Sequence, residues 1–208
     1  MYKIPSELYQ KHKFQFDTYL RLLLKWNEKI NLTSFTHEKE IIELHFIDAL
    51  AFNFFFEDER FQNVSRETFL DIGSGNGVPG LVLKIIHPQI KITLAESIQK
   101  KCSFIKTVIR ELNLKDVFVL NQNIGDASVG SFDFVISRAT CSLNDFVKIG
   151  SPQLKSGGIL ATLKGEKAEA EIVEANPHLS TANLSSFTTM TYKLSFKENR
   201  KIVWCSKL

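Results

Sequence analysis

The sequence predicts an α/β fold: a doubly wound, mostly parallel sheet with helices before it and an antiparallel hairpin after it. Short apolar runs alternate with helical stretches from residue 69 to residue 163, which is the pattern of successive βαβ units. A glycine-rich loop joins the first of these strands to its helix. Two strand-like segments near the end of the chain predict the hairpin.

The first part of the chain predicts two helices. Ser6 is a suitable N-cap for a helix that runs to about Trp26, and Thr36 is one for a second helix that ends in a phenylalanine-rich run. Aromatic clusters of this kind are usually buried. We therefore expect a helical extension over residues 1–66, packed on an α/β domain over residues 67–208.

The alternating part predicts five strands covered by helices on both faces. The strands are expected at 69–72, 91–95, 117–120, 132–137 and 159–163, and the helices at 81–86, 99–112 and 143 to about 154, with a turn at 155–158. After a charged helix at 168–174, strands at 187–196 and 201–206 are expected to pair around Lys197, Glu198, Asn199 and Arg200.

Residues 69–80 are the most informative segment and read FLDIGSGNGVPG. Glycine has no Cβ, so a loop of this kind between a strand and a helix lets a ligand approach the backbone and the helix N-terminus. From Gly75 onward the string matches the GxGxxG dinucleotide fingerprint. Asp71 argues against a dinucleotide, because two like charges ~6 Å apart repel by roughly 2–3 kcal/mol at an effective dielectric of about 20. The same carboxylate attracts the cationic S-adenosylmethionine.

Two other observations favour S-adenosylmethionine over a nicotinamide cofactor. The chain is too short for a dinucleotide fold and a separate substrate domain. Short-chain reductases use a Tyr-x-x-x-Lys pair that follows the glycine-rich loop. Here that spacing occurs at Tyr9 and Lys13, which precede the loop and are therefore in the wrong order. A glycine-rich turn that merely reverses the chain stays open as an alternative.

The carboxyl ends of the strands should meet at one edge of the sheet, where ligands bind in doubly wound folds. Glu96 closes the second strand, about twenty residues past the first glycine, where an acid binds ribose hydroxyls. A charge that stabilises the helix start is the alternative role for Glu96. Ser137, Arg138 and Ala139 close the fourth strand, where the acceptor base should lie.

The fourth strand end also discriminates between methylation reactions. Methylation of an exocyclic amine usually needs an acceptor set such as Asn-Pro-Pro-Tyr at this position, and the sequence has none there. Cytosine C5 methylation requires a cysteine nucleophile, and Cys141 between Thr140 and Ser142 keeps that reaction open. Guanine N7 needs no proton removed, so positioning can supply most of the catalysis. A cation such as Arg138 could orient the purine. No catalytic acid or base is identified.

Charge and composition point to RNA and the cytoplasm. Residues 1–30 carry six Lys and Arg against three carboxylates, and residues 193–208 carry five against one. Basic ends suit a polyanion such as RNA, although a solvated charged surface is an equal alternative. Three widely spaced cysteines argue against a disulfide framework. The sequence shows no signal-peptide core and no membrane span.

The motifs together resemble the bacterial 16S ribosomal RNA guanine-N7 methyltransferase family (RsmG, also called GidB). The resemblance covers nearly the whole chain. It is carried by Trp26-Asn27 with Asn31-Leu32-Thr33, His45 with Asp48, the loop from Asp71 to Gly80, Glu96-Ser97 with Lys100-Lys101, Ile136-Ser137-Arg138-Ala139, Ser142-Leu143, Leu163-Lys164-Gly165 and Arg200.

The resemblance implies a Rossmann-like class I methyltransferase with S-adenosylmethionine as methyl donor. The acceptor it implies is a guanine in the 530 loop of 16S rRNA, in the small ribosomal subunit. We expect a cytoplasmic monomer that binds no metal. The resemblance implies cofactor contacts at Gly73, Val78, Ile124, Gly125 and Arg138 and ribose contact at Glu96, and we expect Asp71 and Gly75 of the glycine-rich loop to bind the cofactor as well. It also makes Lys164 and Arg200 candidates for RNA contact, with an ordinary surface cation as the equal alternative for each. Asn31 and His45 are better explained by capping or buried hydrogen bonds.

One segment departs from the family pattern. After the third strand the family has an Arg-Ala-Glu-like stretch that contacts the adenine, whereas this chain has Asn123-Ile124-Gly125-Asp126. Backbone contacts survive such a change, but a carboxylate contact would require Asp126. The departure keeps one further alternative open, a non-catalytic protein that binds RNA or the ribosome with the same fold.

Overall fold

The computed structural model describes residues 1–125, 128–138, 141–195 and 199–208. The strands form one seven-stranded sheet in the order β3-β2-β1-β4-β5-β7-β6. They are β1 (Thr68–Ile72), β2 (Lys91–Ala95), β3 (Val117–Leu120), β4 (Phe132–Arg138), β5 (Leu154–Lys164), β6 (Thr188–Tyr192) and β7 (Arg200–Ser206). Strands β1 to β5 pair in parallel, whereas β5–β7 and β7–β6 are antiparallel. The predicted doubly wound, mostly parallel sheet with a C-terminal hairpin is confirmed.

Eight α-helices surround the described sheet. They are α1 (Glu7–Lys11), α2 (Lys13–Asn27), α3 (Glu38–Ile41), α4 (Phe54–Glu57), α5 (Gly80–Ile86), α6 (Gln99–Glu111), α7 (Leu143–Gly150) and α8 (Ala168–Ala175). A π-helical segment covers Ile42–Ile47, and short 3-10 helices cover Leu50–Asn53, Glu59–Phe61, Ser151–Gln153 and Asn176–His178. Within the described residues, no helix is both long and apolar enough to cross a membrane.

Apolar residues on the two faces of the sheet form two separate cores. In β1, Phe69 packs with the N-terminal helices, α5 and α6, whereas Leu70 and Ile72 pack with α7 and α8. This division follows from the period of two along a strand, which sends successive side chains to opposite faces. Phe69 stacks on Phe134 of β4 with ring centroids 4.8 Å apart. The N-terminal helices therefore share their core with the sheet.

The N-terminal helices differ from their predicted bounds. Ser6 does precede the first helix, but the chain breaks at His12 into α1 and α2. The N-cap of the second helix is His37 rather than Thr36. It then changes from α to π geometry, returns to α, and passes through a 3-10 turn. Changes in hydrogen-bond register of this kind depend on what each turn packs against, so hydrophobic period alone did not predict them.

The predicted turn at 155–158 is wrong. These residues lie inside β5, which begins at Leu154. Leu154 pairs with Phe132 and Ile159 pairs with Phe134, so the extra residues between them form an irregularity in the ladder. Gly157 has φ +73° there. The glycines signalled a local change of backbone direction, but the chain makes it without leaving the sheet.

The remaining bounds are close to those predicted, and β2 and β3 agree with them residue for residue. The C-terminal strands are paired as expected, although β6 is shorter than the predicted 187–196. Three parts of the sequence interpretation lie outside the described residues. They are Asp126, the pair Ala139 and Thr140, and residues 196–198, which include Lys197 and Glu198.

Close packing at Gly80 generates a test of the fold. A Cβ at this position would lie 2.2 Å from Leu94 Cδ2 and 2.8 Å from Asp71 Oδ2. We expect Gly80→Ala to lower the free energy of unfolding by about 1–3 kcal/mol, as overpacking of a core does. Urea denaturation measures the change. Gly125→Ala is the control, because no atom of the described residues lies within 4 Å of its added Cβ. Equal stability of the two variants would contradict the packing described.

Candidate cofactor and substrate site

A cleft of about 550 Å³ opens at the carboxyl ends of the parallel strands. This is the edge where doubly wound sheets bind ligands, and the volume suits a nucleoside-sized molecule. The cleft is lined by Leu32, His45, Ile72, Gly73, Ser74, Gly75, Asn76, Val78, Ala95, Glu96, Ser97, Ile98, Lys101, Gln122, Asn123, Ile124, Arg138, Cys141 and Ile149.

The glycine-rich loop forms the floor of this cleft. Its first two N–H groups, those of Gly73 and Ser74, donate to the carbonyl oxygen of Ala95 at 2.9 and 3.0 Å, which ties the loop to the end of β2. Gly77 has φ +87°, and a Cβ there would lie 2.7 Å from the Tyr19 hydroxyl. That buried hydroxyl, from α2, donates to the carbonyl of Asn76. The N-terminal extension therefore holds the loop in place.

Glu96 lies opposite the loop at the end of β2. Its Oε2 accepts a hydrogen bond from the Gly75 N–H at 2.9 Å, and its Oε1 accepts one from the Ile98 N–H at 2.8 Å. Each carboxylate oxygen has a second lone pair. Glu96 is buried but lines the cleft. The carboxylate is thus held by two backbone groups and can still accept hydrogen bonds from a ligand.

Asp71 is placed beneath the loop rather than on the cleft lining. Its side chain is fully buried, and its Oδ2 accepts a hydrogen bond from the Gly80 N–H at 2.9 Å. Its Oδ1 has no hydrogen-bond partner in the described part of the chain. Burial raises the pKa of this carboxyl to about 7. Asp71 therefore stabilises the start of α5 directly, and a cation bound above the loop would favour its ionised form.

Arg138 reaches the cleft from the end of β4. Its Nη1 donates to the carbonyl oxygen of Leu44 at 2.6 Å, and its Nη2 lies 2.8 Å from His45 Nδ1. Its Nη1 also lies 3.7 Å from Asp48 Oδ2. All three partners belong to the segment that contains the π-helical turn. The N-terminal extension therefore fixes the orientation of the guanidinium.

His45 lines the cleft as a neutral imidazole. Because guanidinium groups can only donate, Nδ1 accepts from Arg138 and the proton lies on Nε2. Nε2 is 2.8 Å from Thr33 Oγ1, which serves as its acceptor. Burial, and secondly the charge of Arg138, lower the pKa of His45 to about 3. Both ring nitrogens are engaged in hydrogen bonds, as expected for a buried, hydrogen-bonded histidine.

Lys164 and Arg200, which the sequence interpretation placed on the RNA-facing surface, both form internal ion pairs. The Nζ of Lys164 lies 2.7 Å from Glu171 Oε2 and donates to the Cys141 carbonyl at 2.9 Å. Arg200 donates to both carboxylate oxygens of Asp48, at 3.1 and 2.7 Å. Their side chains are 8% and 16% exposed. Neither side chain presents a free head group to a phosphate.

Most of the other predicted cofactor residues line the cleft. Gly73, Gly75, Val78 and Ile124 are in the lining, whereas Gly125 follows Ile124 and is outside it. Cys141 lies on the opposite wall, and burial raises the pKa of its thiol. Several lining residues were missed by sequence reasoning: Asn76, Ser97, Lys101 and Gln122. Their polar types and their places after strands were the available signal.

The lining residues fit S-adenosylmethionine. The carboxylate of Glu96 can accept from ribose hydroxyls, and Ile98 and Ile124 supply apolar surface for an adenine ring. The charge of Glu96 favours a cationic group, and a bound cation would in turn favour the ionised form of Asp71. Metal binding has no comparable support: the described residues contain no group of three or more His, Cys, Asp or Glu side chains that could hold an ion.

A family model described as rRNA small subunit methyltransferase G matches residues 12–203. This chain belongs to that family. Curated relatives named ribosomal RNA small subunit methyltransferase G include proteins from Staphylococcus aureus strains JH9 and Newman. They are 37% and 36% identical over 192 residues, which is 90% of this chain and 78% of each relative. The family match over residues 12–203 includes every residue of the cleft lining.

Solved structures of low sequence identity share the fold of class I S-adenosylmethionine-dependent methyltransferases. An S-adenosylmethionine-dependent methyltransferase from Aquifex aeolicus has a TM-score of 0.58 at 17% identity, over 81% of this chain and 93% of its own. A 16S rRNA N2 G1207 methyltransferase from T. thermophilus, in complex with AdoMet and guanosine, has a TM-score of 0.56 at 15% identity, over 77% and 43%. The Rossmann-like fold is confirmed.

Glu96 provides a test of the cofactor site. We expect Glu96→Gln to weaken S-adenosylmethionine binding about 10- to 100-fold, because hydrogen bonds to a charged group contribute about 1.5–3 kcal/mol. Isothermal titration calorimetry measures the affinity, and thermal unfolding checks that the variant folds. Glu111→Gln is the matched control, because Glu111 is exposed at the far end of α6. Unchanged affinity in Glu96→Gln would remove Glu96 from the site.

The protonation state of His45 can be measured directly. Its folded pKa of about 3 lies below the ordinary value of 6.5, so the stability that depends on the neutral ring is present above pH 6.5 and lost as the pH falls. We expect nitrogen-15 NMR at pH 5 to show a neutral ring protonated on Nε2. In urea the same ring should titrate near 6.5. His45→Gln assigns the resonance, and a protonated ring in the folded protein at pH 5 would refute this assignment.

Proposed function

We propose that this protein transfers a methyl group from S-adenosylmethionine to N7 of a guanine in the 530 loop of 16S rRNA. The observation that carries this proposal is the match to the rRNA small subunit methyltransferase G family, which covers the entire cleft. The fold and the family support S-adenosylmethionine as methyl donor and small-subunit rRNA as acceptor. The choice of N7 as the acceptor atom and of the 530 loop as its location goes beyond this support and is our proposal.

When bound, S-adenosylmethionine supplies a methyl group that its positive sulfur makes electrophilic. The chain's own residues hold and orient the reactants. Glu96 is our candidate for the ribose hydroxyls, and the backbone around Ile124 and Gly125 for the adenine. Gly73, Gly75 and Val78 shape the floor on which the cofactor lies. Asp71 supports that floor from below, and the bound cation would favour its ionised form.

Guanine N7 fits this site because the reaction at that atom needs no general base. N7 carries a free lone pair and no proton, so catalysis requires mainly that the reactants be held in line. His45, the cleft residue most suited to proton transfer, has both ring nitrogens in hydrogen bonds within the protein, and Glu96 is assigned to the ribose hydroxyls. Arg138, fixed by Leu44 and His45, is our candidate for orienting the purine.

The cytosine-C5 alternative is not favoured by the site. Cys141 lines the cleft, but burial raises the pKa of its thiol. A catalytic cysteine needs the opposite shift, because the thiolate is the nucleophile. Lys164, the nearby cation, donates to the backbone carbonyl of Cys141 and pairs with Glu171.

We further propose that the protein acts as a monomer in the cytoplasm, where its rRNA substrate is assembled into subunits. Residues 1–66 would serve as a helical extension that braces the cleft, and residues 67–208 as the methyltransferase domain. Tyr19 and His45 support this division of labour, because both reach from the extension to the cleft or its loop.

Methyl transfer tests the proposed reaction. We expect transfer from labelled S-adenosylmethionine to 16S rRNA or small subunits from cells that lack this protein, with 7-methylguanosine as the product after digestion. Subunits from wild-type cells, already modified, are the control and should accept little label. A 5-methylcytidine product would instead support Cys141. Tight cofactor binding without transfer to either substrate would refute this acceptor, and absence of cofactor binding would support a non-catalytic role.

A further inference from the structure

Positive charge is concentrated on two helices that lie on one side of the cleft. Helices α2 and α6 together carry seven Lys and Arg against two carboxylates. Helices α7 and α8 together carry one Lys against four carboxylates. The whole chain has a net charge of only +3. The charge is therefore unevenly divided between these two pairs of helices, with α2 and α6 basic and α7 and α8 acidic.

The two basic helices meet at the cleft. They pack together through Trp26 of α2 and Phe104 of α6, whose ring centroids are 5.8 Å apart. Leu32, which follows α2, and Lys101, in the first turn of α6, both line the cleft. Cys141 and Ile149, before and within α7, line its other wall. The cleft thus opens between a basic side and an acidic side.

Four lysines, here called the basic rim, lie close in the chain to lining residues of this side: Lys25 and Lys29 precede Leu32, and Lys100 is next to Lys101, which itself lines the cleft. The first three lysines, Lys25, Lys29 and Lys100, are exposed, and Lys101 is half-buried. Within the described residues, none of their side chains has an ion-pair or hydrogen-bond partner. Lys164 and Arg200 differ, because their head groups are held by Glu171 and Asp48. A cation that contacts a phosphate needs a free head group, which the basic rim provides.

We propose that the basic rim binds the phosphate backbone of the RNA beside the target guanine, and that the α7–α8 side faces away from it. This inference rests on the proposed function. Lysine is a compact point charge on a flexible stem, and contacts from the rim to phosphates would position the RNA without selecting its sequence. The acidic side would repel the same backbone. The charge difference across the cleft would therefore set the direction from which the RNA approaches.

A pair of charge-matched variants tests the proposal. The rim variant carries Lys25→Gln, Lys29→Gln and Lys100→Gln. The control variant carries Lys91→Gln, Arg110→Gln and Lys115→Gln and loses the same charge. Its positions are exposed and lie at the start of β2, near the end of α6 and just before β3, toward the opposite edge of the sheet. Lys101 is left intact because it lines the cofactor cleft.

We expect the rim variant to bind naked 16S rRNA about ten-fold or more weakly near physiological salt. Its slope of log affinity against log salt should fall by about 2, because each lost contact to single-stranded phosphate removes about 0.7. The KM for rRNA should rise, while kcat and the affinity for S-adenosylmethionine stay unchanged. The control variant should bind rRNA within about two-fold of the wild type. Filter binding, calorimetry and the methyl-transfer assay supply these readouts.

Equal weakening in both variants would refute a localised surface. Unchanged binding to naked rRNA with lost activity on assembled subunits would assign the rim to a protein partner and overturn the RNA proposal. If the wild type methylates rRNA while the rim variant is unaffected, the rim proposal alone fails. If the wild type neither binds nor methylates rRNA, the proposed function fails, and the rim proposal fails with it.

Discussion

The buried carboxylate of Asp48 joins parts of the chain that are far apart in sequence. It accepts hydrogen bonds from the Tyr192 hydroxyl of β6 and from Arg200 of β7, and it lies near Arg138 of β4. Removing one partner from a buried ion pair typically costs 3–5 kcal/mol, because the other charge is left without compensation. The N-terminal segment, the C-terminal hairpin and the end of β4 are therefore held together by one polar cluster.

This cluster also determines what the cleft can do. Arg138 cannot turn freely, because Leu44 and His45 hold two of its nitrogens. Burial, and secondly the charge of Arg138, lower the pKa of His45 and keep its ring neutral. The cleft is thus built from groups with fixed orientation and few mobile protons. Such a site suits a reaction in which the acceptor atom already carries its lone pair and the reactants need only be aligned.

The doubly wound topology separates two tasks on the two sides of the cleft. Helix α6 follows β2 and packs on α2, whereas α7 follows β4 and packs in the other core. The first side carries the lysines of the basic rim, and the second carries carboxylates and the internal pair of Lys164 and Glu171. In the proposed arrangement the cofactor and the RNA approach the same edge of the sheet, and Lys101 lies where the basic rim meets the cofactor cleft.

The sequence by itself determined the succession of strands and helices along the chain, the position of the glycine-rich loop after β1, and the position of Glu96 at the end of β2. Each of these depends on residues that are adjacent along the chain. Hydrophobic period fixes a strand, and local glycine content fixes the loop. The tertiary structure alone decided the partners of Arg200 and Lys164, the place of Asp71 beneath the loop, and the course of residues 155–158 inside β5. A charged side chain can pair inward or face solvent with the same local sequence. Which it does depends on carboxylates such as Asp48, 152 residues from Arg200, that only the folded chain brings near.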